Sequence, residues 1–376
     1  MSDKVPDQIG NVKEEKNKGP EWALLPFFKD DAVNPIMKPF ADFFIEPVEN
    51  KRIGWENADI LNPAAIVKDD KVYLLYRARQ KASSIIPVSR IGIAESIDGI
   101  NFKHHTAPVL YPDSDEFYNY ESGGGCEDPR VVEDENGKYY MTYTAADGYN
   151  ARLFIATSDD LVIWQKHGSV FKNAFGGKYI DKWTKSGSIV SRYENGKIIA
   201  AKINGKYWMY FGDSQIWIAT SDNLINWEPV LNAEGEMPPV NLRRNAVQMP
   251  ELKIVLSPRD GMFDSDLVES GPPAMITKHG ILLIYNSRND PAFGDKTLNE
   301  GTYTPSQVLI DINDPTKVID RMDTWFMKPD MPYELTGDVD AVCFVEGLVY
   351  FQNRWLLYYG TADTDIAIAE SKASVE

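Results

Sequence analysis

A run of glycines leads straight into two acids, a proline and an arginine at Gly123–Arg130 (GGGCEDPR), and the apolar pair Val131 and Val132 follows. The glycines lack the GK[ST] or GxGxxG continuation of a phosphate cradle, and they open onto strand-like rather than helical sequence. They read as a close-packed turn, which leaves the chemistry to the acids. Glu127 and Asp128 have counterparts in Asp213, Glu269, Asp338, Asp340 and Asp363, several of them next to glycine or close to proline. Paired carboxyls can break a glycosidic bond: one protonates the leaving oxygen, and the other activates water or attacks from the opposite face of the sugar. Crowding should also raise the pKa of some of these acids by mutual repulsion, which keeps a donor protonated near neutral pH. The rival chemistry for the same oxygens is Ca²⁺ coordination, for which no EF-hand-like loop is present. Asn62, Lys185, Arg77, Arg90 and Arg130 supply polar and cationic partners. The arginines suit an anion or a sugar hydroxyl equally well.

What could bring such scattered residues together is an internal repeat. Five aromatic strands recur about every 70 residues, as repeat architectures require: VYLLYR, YYMTYT, YWMYFG, ILLIYN and WLLYYG. A second strand follows most of them (IGIAES, LFIATS, IWIATS and IAIAES, with VLIDI as a weaker version). An apolar run precedes each (AAIV, RVVE, SIVS, AMIT and AVCFV), mostly joined to it by turn residues such as Asp69-Asp70 and Asn136-Gly137. A unit of about four antiparallel strands repeated five times predicts an all-β, five-bladed β-propeller. The last unit lacks an outer strand, and FFIEPV (Phe43–Val48) is the natural N-terminal segment to close the ring. In such a fold the start of each innermost strand faces one central funnel. The corners at Asn62, at Glu127–Arg130, at Lys185, at Glu269 and at Asp338–Asp340 should therefore converge, joined by Arg77, Asp213 and Asp363 from the returning strands.

The aromatic content of 12% suits pleated surfaces and carbohydrate platforms alike. Tyr118, Tyr120, Tyr149 and Trp183 are candidates for sugar stacking, or for packing between blades. A net charge of -17 with no basic patch argues against nucleic acid. The two cysteines, Cys126 and Cys343, and four scattered histidines form no disulfide framework and no metal-ligand spacing, so two buried thiols, no metal and no organic cofactor are expected. No window is long and apolar enough to span a membrane. Residues 1–30 read as a flexible polar leader, and 31–376 as a single catalytic propeller domain. A complete chain would be expected in the cytoplasm, and one trimmed of a signal peptide in the periplasm or cell envelope. Oligomeric state is not legible.

From about Asn34 to its end the chain resembles glycoside hydrolase family 130, five-bladed propellers acting on β-mannosides. The resemblance is carried by GGGCEDPR, GKYWMYFG, GPPAMIT followed by LLIY, and YYGTADTDIAIA. It implies that Asp128 is the general acid, which in phosphorylase members works through a hydroxyl of the mannosyl unit. The family contains phosphorylases, in which phosphate attacks the anomeric carbon, and hydrolases, in which water does. Phosphorylases carry Asn-Arg-Asn…Phe-Pro-Glu-Lys where this chain has WTKSGSIV, and a histidine where it has Asn286. The chain is closer to hydrolase members in its Lys-Ser-Gly, its Tyr-Phe-Gly-acid run and its Glu ahead of Gly-Pro-Pro. That Glu, Glu269, becomes the implied base for water. Asp213 stands where related hydrolases carry Glu, and serves as helper. The resemblance thus implies an inverting β-mannosidase, with β-1,2-linked manno-oligosaccharides as substrate. Substrate contacts are expected from Asn62, Arg77, Arg90, Glu127, Arg130, Lys185, Asp338 and Asp363. A β-mannoside phosphorylase and a non-catalytic sugar-binding propeller remain the alternatives.

Overall fold

The computed structural model describes residues 19–81, 87–234 and 248–374. It is all-β: helix is confined to short turns such as Tyr118–Glu121 and Pro332–Leu335. The five aromatic strands all form, within Lys71–Arg79, Tyr139–Ala146, Lys206–Phe211, Gly280–Arg288 and Arg354–Thr361. Each is the second strand of an antiparallel meander. In the first, Asp59–Lys68 pairs with Lys71–Arg79, which pairs with Ser89–Ser96, which pairs with Lys103–His104. The second repeats this order with Gly125–Glu133, Tyr139–Ala146, Ala151–Ser158 and Gln165–Ser169.

The third meander departs from the pattern. Its first strand is broken: Ser188–Ile189 pairs with one end of the aromatic strand, the chain leaves as a hairpin, Ser191–Glu194 with Lys197–Ala200, that adds in parallel to Met275–Thr277 of the fourth, and Lys202–Ile203 then returns to pair with the other end. In the fourth, the strand anticipated around VLIDI begins earlier, at Tyr303–Ile310.

Both faces of the aromatic strands are apolar because both are covered. Alternate residues turn to opposite neighbours. Trp355, Leu357 and Tyr359 join a cluster with Leu282 and Ile284 of the fourth meander, while Leu356 and Tyr358 join Leu74 and Tyr76 of the first. Likewise Met209 and Phe211 pack with Leu153 and Ile155 of the second meander, and Tyr210 packs with Leu283 and Tyr285 of the fourth. The remaining cluster joins Ile66, Leu75 and Ile93 to Val131, Met141 and Phe154.

The N-terminal segment corrects two expectations. Phe43–Val48 does not complete the last sheet: Phe44–Glu46 forms a separate hairpin with Lys51–Ile53. Phe28–Lys29 pairs with the final strand Asp365–Ser371 instead. The leader expected over residues 1–30 accordingly gives way by residue 24, because Leu24 and Phe27 are buried in the core. Gln307 holds both backbone polar groups of Leu24, at 2.8 and 2.9 Å. Residues 1–18 lie outside the described part of the chain.

Candidate active site

The inner strand of several meanders breaks register at its inner end. The partner strand skips residues between Leu61 and Ala64, between Glu127 and Arg130, and between Val345 and Gly347. Bulges of this kind re-aim a side chain. Asn62 and Asp128 sit there at φ 48° and 49°, and Ser186 takes φ 58° at the corresponding place in the third meander. This left-handed region is one that Asn and Asp tolerate better than most residues, and the proline or glycine that follows continues the strand. The glycine run supports the second corner from behind. Gly125 has φ 103°, and a Cβ placed there would overlap the backbone of Ser89. The run is thus a close backbone contact rather than a cradle.

Asp128 lies at the centre, 3% exposed. Its Oδ1 accepts from Asn62 Nδ2 at 3.0 Å and from Arg77 Nη1 at 3.1 Å, and its Oδ2 lies 3.3 Å from Lys185 Nζ. Arg77 also donates from Nη2 to Glu127 at 2.7 Å. Glu269 is nearly as buried and accepts a short hydrogen bond from the Ser186 hydroxyl. Lys185 and Arg130 act electrostatically on both carboxylates, and Asp213 acts on Glu269. Asp213 in turn accepts from the Trp183 indole at 2.7 Å.

The two central acids titrate in opposite directions. Burial alone would raise Asp128, but Arg77, Lys185 and Arg130, with Asn62, outweigh it and hold the carboxyl well below the usual range. The rise expected for some of the crowded acids therefore does not fall on Asp128. At Glu269 burial prevails: opposed by Lys185 and assisted by Asp213, it lifts the carboxyl to about 7. Burial also lifts Asp363 to about 6, against Arg77 and with help from the charge of Asp128. Lys185 is raised, because the surrounding acids outweigh its burial. Three cations already neutralise these carboxylates, which makes the cluster a poor Ca²⁺ cage.

Not every expected site residue belongs here. Arg90 stands opposite Ala78 on the strand face away from Arg77, donating to Gln80 and to the Val88 carbonyl, and burial lowers it to about 10. Arg130 is 2% exposed and has no face free for a sugar. Its guanidinium donates to the carbonyls of Asp128, Ser270 and Gly271 and pairs with Glu346 at 2.9 Å. It ties the second, fourth and fifth meanders together beneath the site. Asp338 is half-exposed and pairs with Arg79 at 2.8 Å, at the outer margin. Tyr120 packs on Phe154 under Arg152, so it serves the core, whereas Tyr149 is 95% exposed on a turn.

Glu346 is the residue that sequence reasoning missed. It is fully buried, and burial pushes it well above the carboxylate range despite Arg130. Reading the apolar run AVCFV as the inner strand puts the fifth corner at Asp338–Asp340. That strand is Cys343–Phe351, and its hairpin turn is Gln352-Asn353. Counting back from the turn would have found it: Glu346-Gly347 stands as far before Gln352 as Asp128-Pro129 stands before Asp134.

Comparison with known proteins bears on the family of the chain. A glycoside hydrolase family 130 model, described as beta-1,4-mannooligosaccharide phosphorylase, matches residues 29–375. A 1,2-beta-oligomannan phosphorylase of Thermoanaerobacter sp. (strain X514) is 32% identical over 84% of this chain and 90% of its own. A solved glycosyl hydrolase from Bacteroides ovatus is 41% identical with a TM-score of 0.88, covering 94% of this chain and 96% of that one. Another solved structure belongs to work on glycoside hydrolases of the same family that target β-1,2 mannosidic linkages in Candida mannan. It is also 41% identical, with a TM-score of 0.88 over 96% of this chain and 98% of that one.

Proposed function

The chain belongs to glycoside hydrolase family 130, whose members are enzymes acting on β-mannosides, and from that premise we propose that it is an inverting hydrolase of β-1,2-linked manno-oligosaccharides. The observation that carries the reading is Glu269, a buried carboxyl raised to about 7 between Lys185 and Asp213. A group with that affinity is suited to take a proton from water at neutral pH. Phosphate, already an anion at neutral pH, needs no such base. Likeness to the structure from the work on β-1,2-mannan hydrolases supports both the nucleophile and the linkage. The meanders are read as five blades of one propeller, closed where Phe28–Lys29 joins the last sheet and where the fifth sheet packs on the first.

In this assignment Asp128 protonates the leaving oxygen and Glu269, helped by Asp213, deprotonates the attacking water. Asp128 must gain a proton before it can give one. Its contact with Lys185 is the longest of its three. A sugar hydroxyl that draws Lys185 away would remove one of the three cations holding the carboxyl ionised. Asn62, Arg77, Glu127, Lys185 and Asp363 remain as sugar contacts. Arg90 and Arg130 are withdrawn from that role by their burial and partners. Asp338 lies further out, and the reading gives Trp183 a stacking role, supported by its 39% exposure and its hydrogen bond to Asp213.

Phosphorolysis is the second reading, favoured by the phosphorylase relatives of 32% and 30% identity. Incubation with β-1,2-mannobiose, with and without inorganic phosphate, separates the two. Free mannose formed at equal rates in both supports hydrolysis, whereas mannose 1-phosphate appearing only with phosphate overturns it. Asp128→Asn and Glu269→Gln should each cost about 10²–10⁴ in turnover, the usual worth of a general acid or base. A wild type that binds mannosides without any turnover would leave only a sugar-binding role.

A further inference from the structure

Away from the acid cluster, three side chains of ligand type converge where the N-terminal segment crosses the first meander. His104 Nε2 lies 2.7 Å from Asp42 Oδ2 and 3.8 Å from Glu56 Oε1. The three ligating atoms all fall within 4.8 Å of one another. Phe40 stacks on the imidazole at 3.6 Å, and its backbone N–H donates to the Glu56 carbonyl at 3.0 Å. Glu56 is fully buried, and its two oxygens are treated differently. Oε2 accepts from the Tyr76 hydroxyl at 2.8 Å, whereas Oε1 has no hydrogen-bond partner among the described residues. A buried carboxylate oxygen left bare is costly, and this one is aimed at an imidazole nitrogen and a second carboxylate.

We infer that Asp42, Glu56 and His104 form a site for a zinc-type divalent cation that staples the N-terminal segment to the first meander. Two carboxylates and a neutral imidazole balance the charge of the ion, and the bare oxygen of Glu56 gains the partner it lacks. An imidazole in the set selects Zn²⁺ and similar transition metals over Mg²⁺ or Ca²⁺. Bonds of about 2.0–2.2 Å in a tetrahedron place ligand atoms about 3.4 Å apart. His104 and Asp42 must therefore separate, and His104 and Glu56 close up, each by a fraction of an ångström. Asp42 and His104 remain partly open to solvent, so water can complete the set. Tyr76 and Phe40 orient two of the ligands, as outer partners of metal sites do. The backbone N–H groups of Ile36 and Met37 bond Ile366 in the final strand. The ion would thus hold a segment that also touches the last meander.

The test uses the full chain stripped with EDTA, followed by calorimetric titration with ZnCl₂, MgCl₂ or CaCl₂ and by thermal melting. One Zn²⁺ per chain with a raised Tm, and no comparable response to Mg²⁺ or Ca²⁺, is the expected result. His104→Ala should weaken zinc binding about 100-fold or more and abolish the Tm shift. Asp42→Asn, on a more exposed ligand, serves the same purpose if His104→Ala fails to fold. No stoichiometric zinc binding by the wild type, or binding unchanged in the folded variant, would reduce the cluster to a His–Asp pair and overturn the inference. Binding without any change in Tm would overturn the stapling role.

Discussion

Asp128 and Glu269 share one buried cluster and one lysine, yet their environments push their protons apart. Asp128 has three cations near it and Glu269 has Asp213, so the proton at neutral pH belongs to the Glu269 side. If Glu269 acts as the base, it must be ionised. Its raised pKa then means that kcat/KM climbs with pH through about 7 and falls away below it. Asp213→Asn removes a charge that disfavours ionisation of Glu269. The acidic limb of the profile should move to lower pH even as the rate falls, and an unmoved limb would detach Asp213 from the base. Arg130 belongs to this scale too. Arg130→Met leaves the buried carbonyls of Asp128, Ser270 and Gly271 without their donor, and each group so stranded costs about 1–3 kcal/mol. Urea denaturation of the variant measures it, with a shift of the midpoint to lower denaturant expected.

At the scale of the strand, the bulge is the device that makes a site. A regular inner strand would alternate its side chains between neighbouring sheets, as Leu348 and Val349 do. The register breaks at Asn62, Asp128 and Glu346 release one side chain from that alternation and turn it to the centre. Gly125 makes one of these breaks possible by lying against Ser89 at a positive φ. Gly125→Ala should therefore destabilise the protein by about 1–3 kcal/mol through overpacking and strain, read as a lower Tm. It should also depress activity more than stability, because the strand carrying Glu127 and Asp128 must shift. An unchanged melting curve would contradict the close contact.

For the molecule as a whole, the important junction is between the two ends of the chain. Phe28–Lys29 covers the edge of the final sheet, Leu24 and Phe27 fill its core, and Lys29 reaches buried Glu334 at 2.7 Å. A chain begun at residue 31 would expose that edge and strand the charge of Glu334. It should aggregate or melt well below the full chain, whereas a soluble and equally stable product would show the junction to be dispensable.

The repeat was legible in the sequence because sheets covered on both faces leave long apolar and aromatic runs, and turns between them leave Asp, Asn and Gly at regular places. Those patterns are local. They were enough for an all-β chain, for the strands of each unit and for the corners bearing Asn62, Asp128, Lys185 and Glu269. Only the tertiary structure decided which ionisable groups meet. At the fifth corner a bulge adds a residue that alternation along AVCFV does not reveal, so Glu346 becomes visible only in the paired strands. Arg90 and Arg130 looked available because a sequence carries no record of facing: one lies on the far side of its strand, and the other is occupied by three carbonyls and an acid. The N-terminal closure went to Phe28–Lys29 rather than Phe43–Val48, a choice between two similar apolar segments that depends on distance in space. The direction of each pKa shift has the same origin, since charge and burial act through space and Asn62, Arg77 and Lys185, which surround Asp128, lie far from it along the chain.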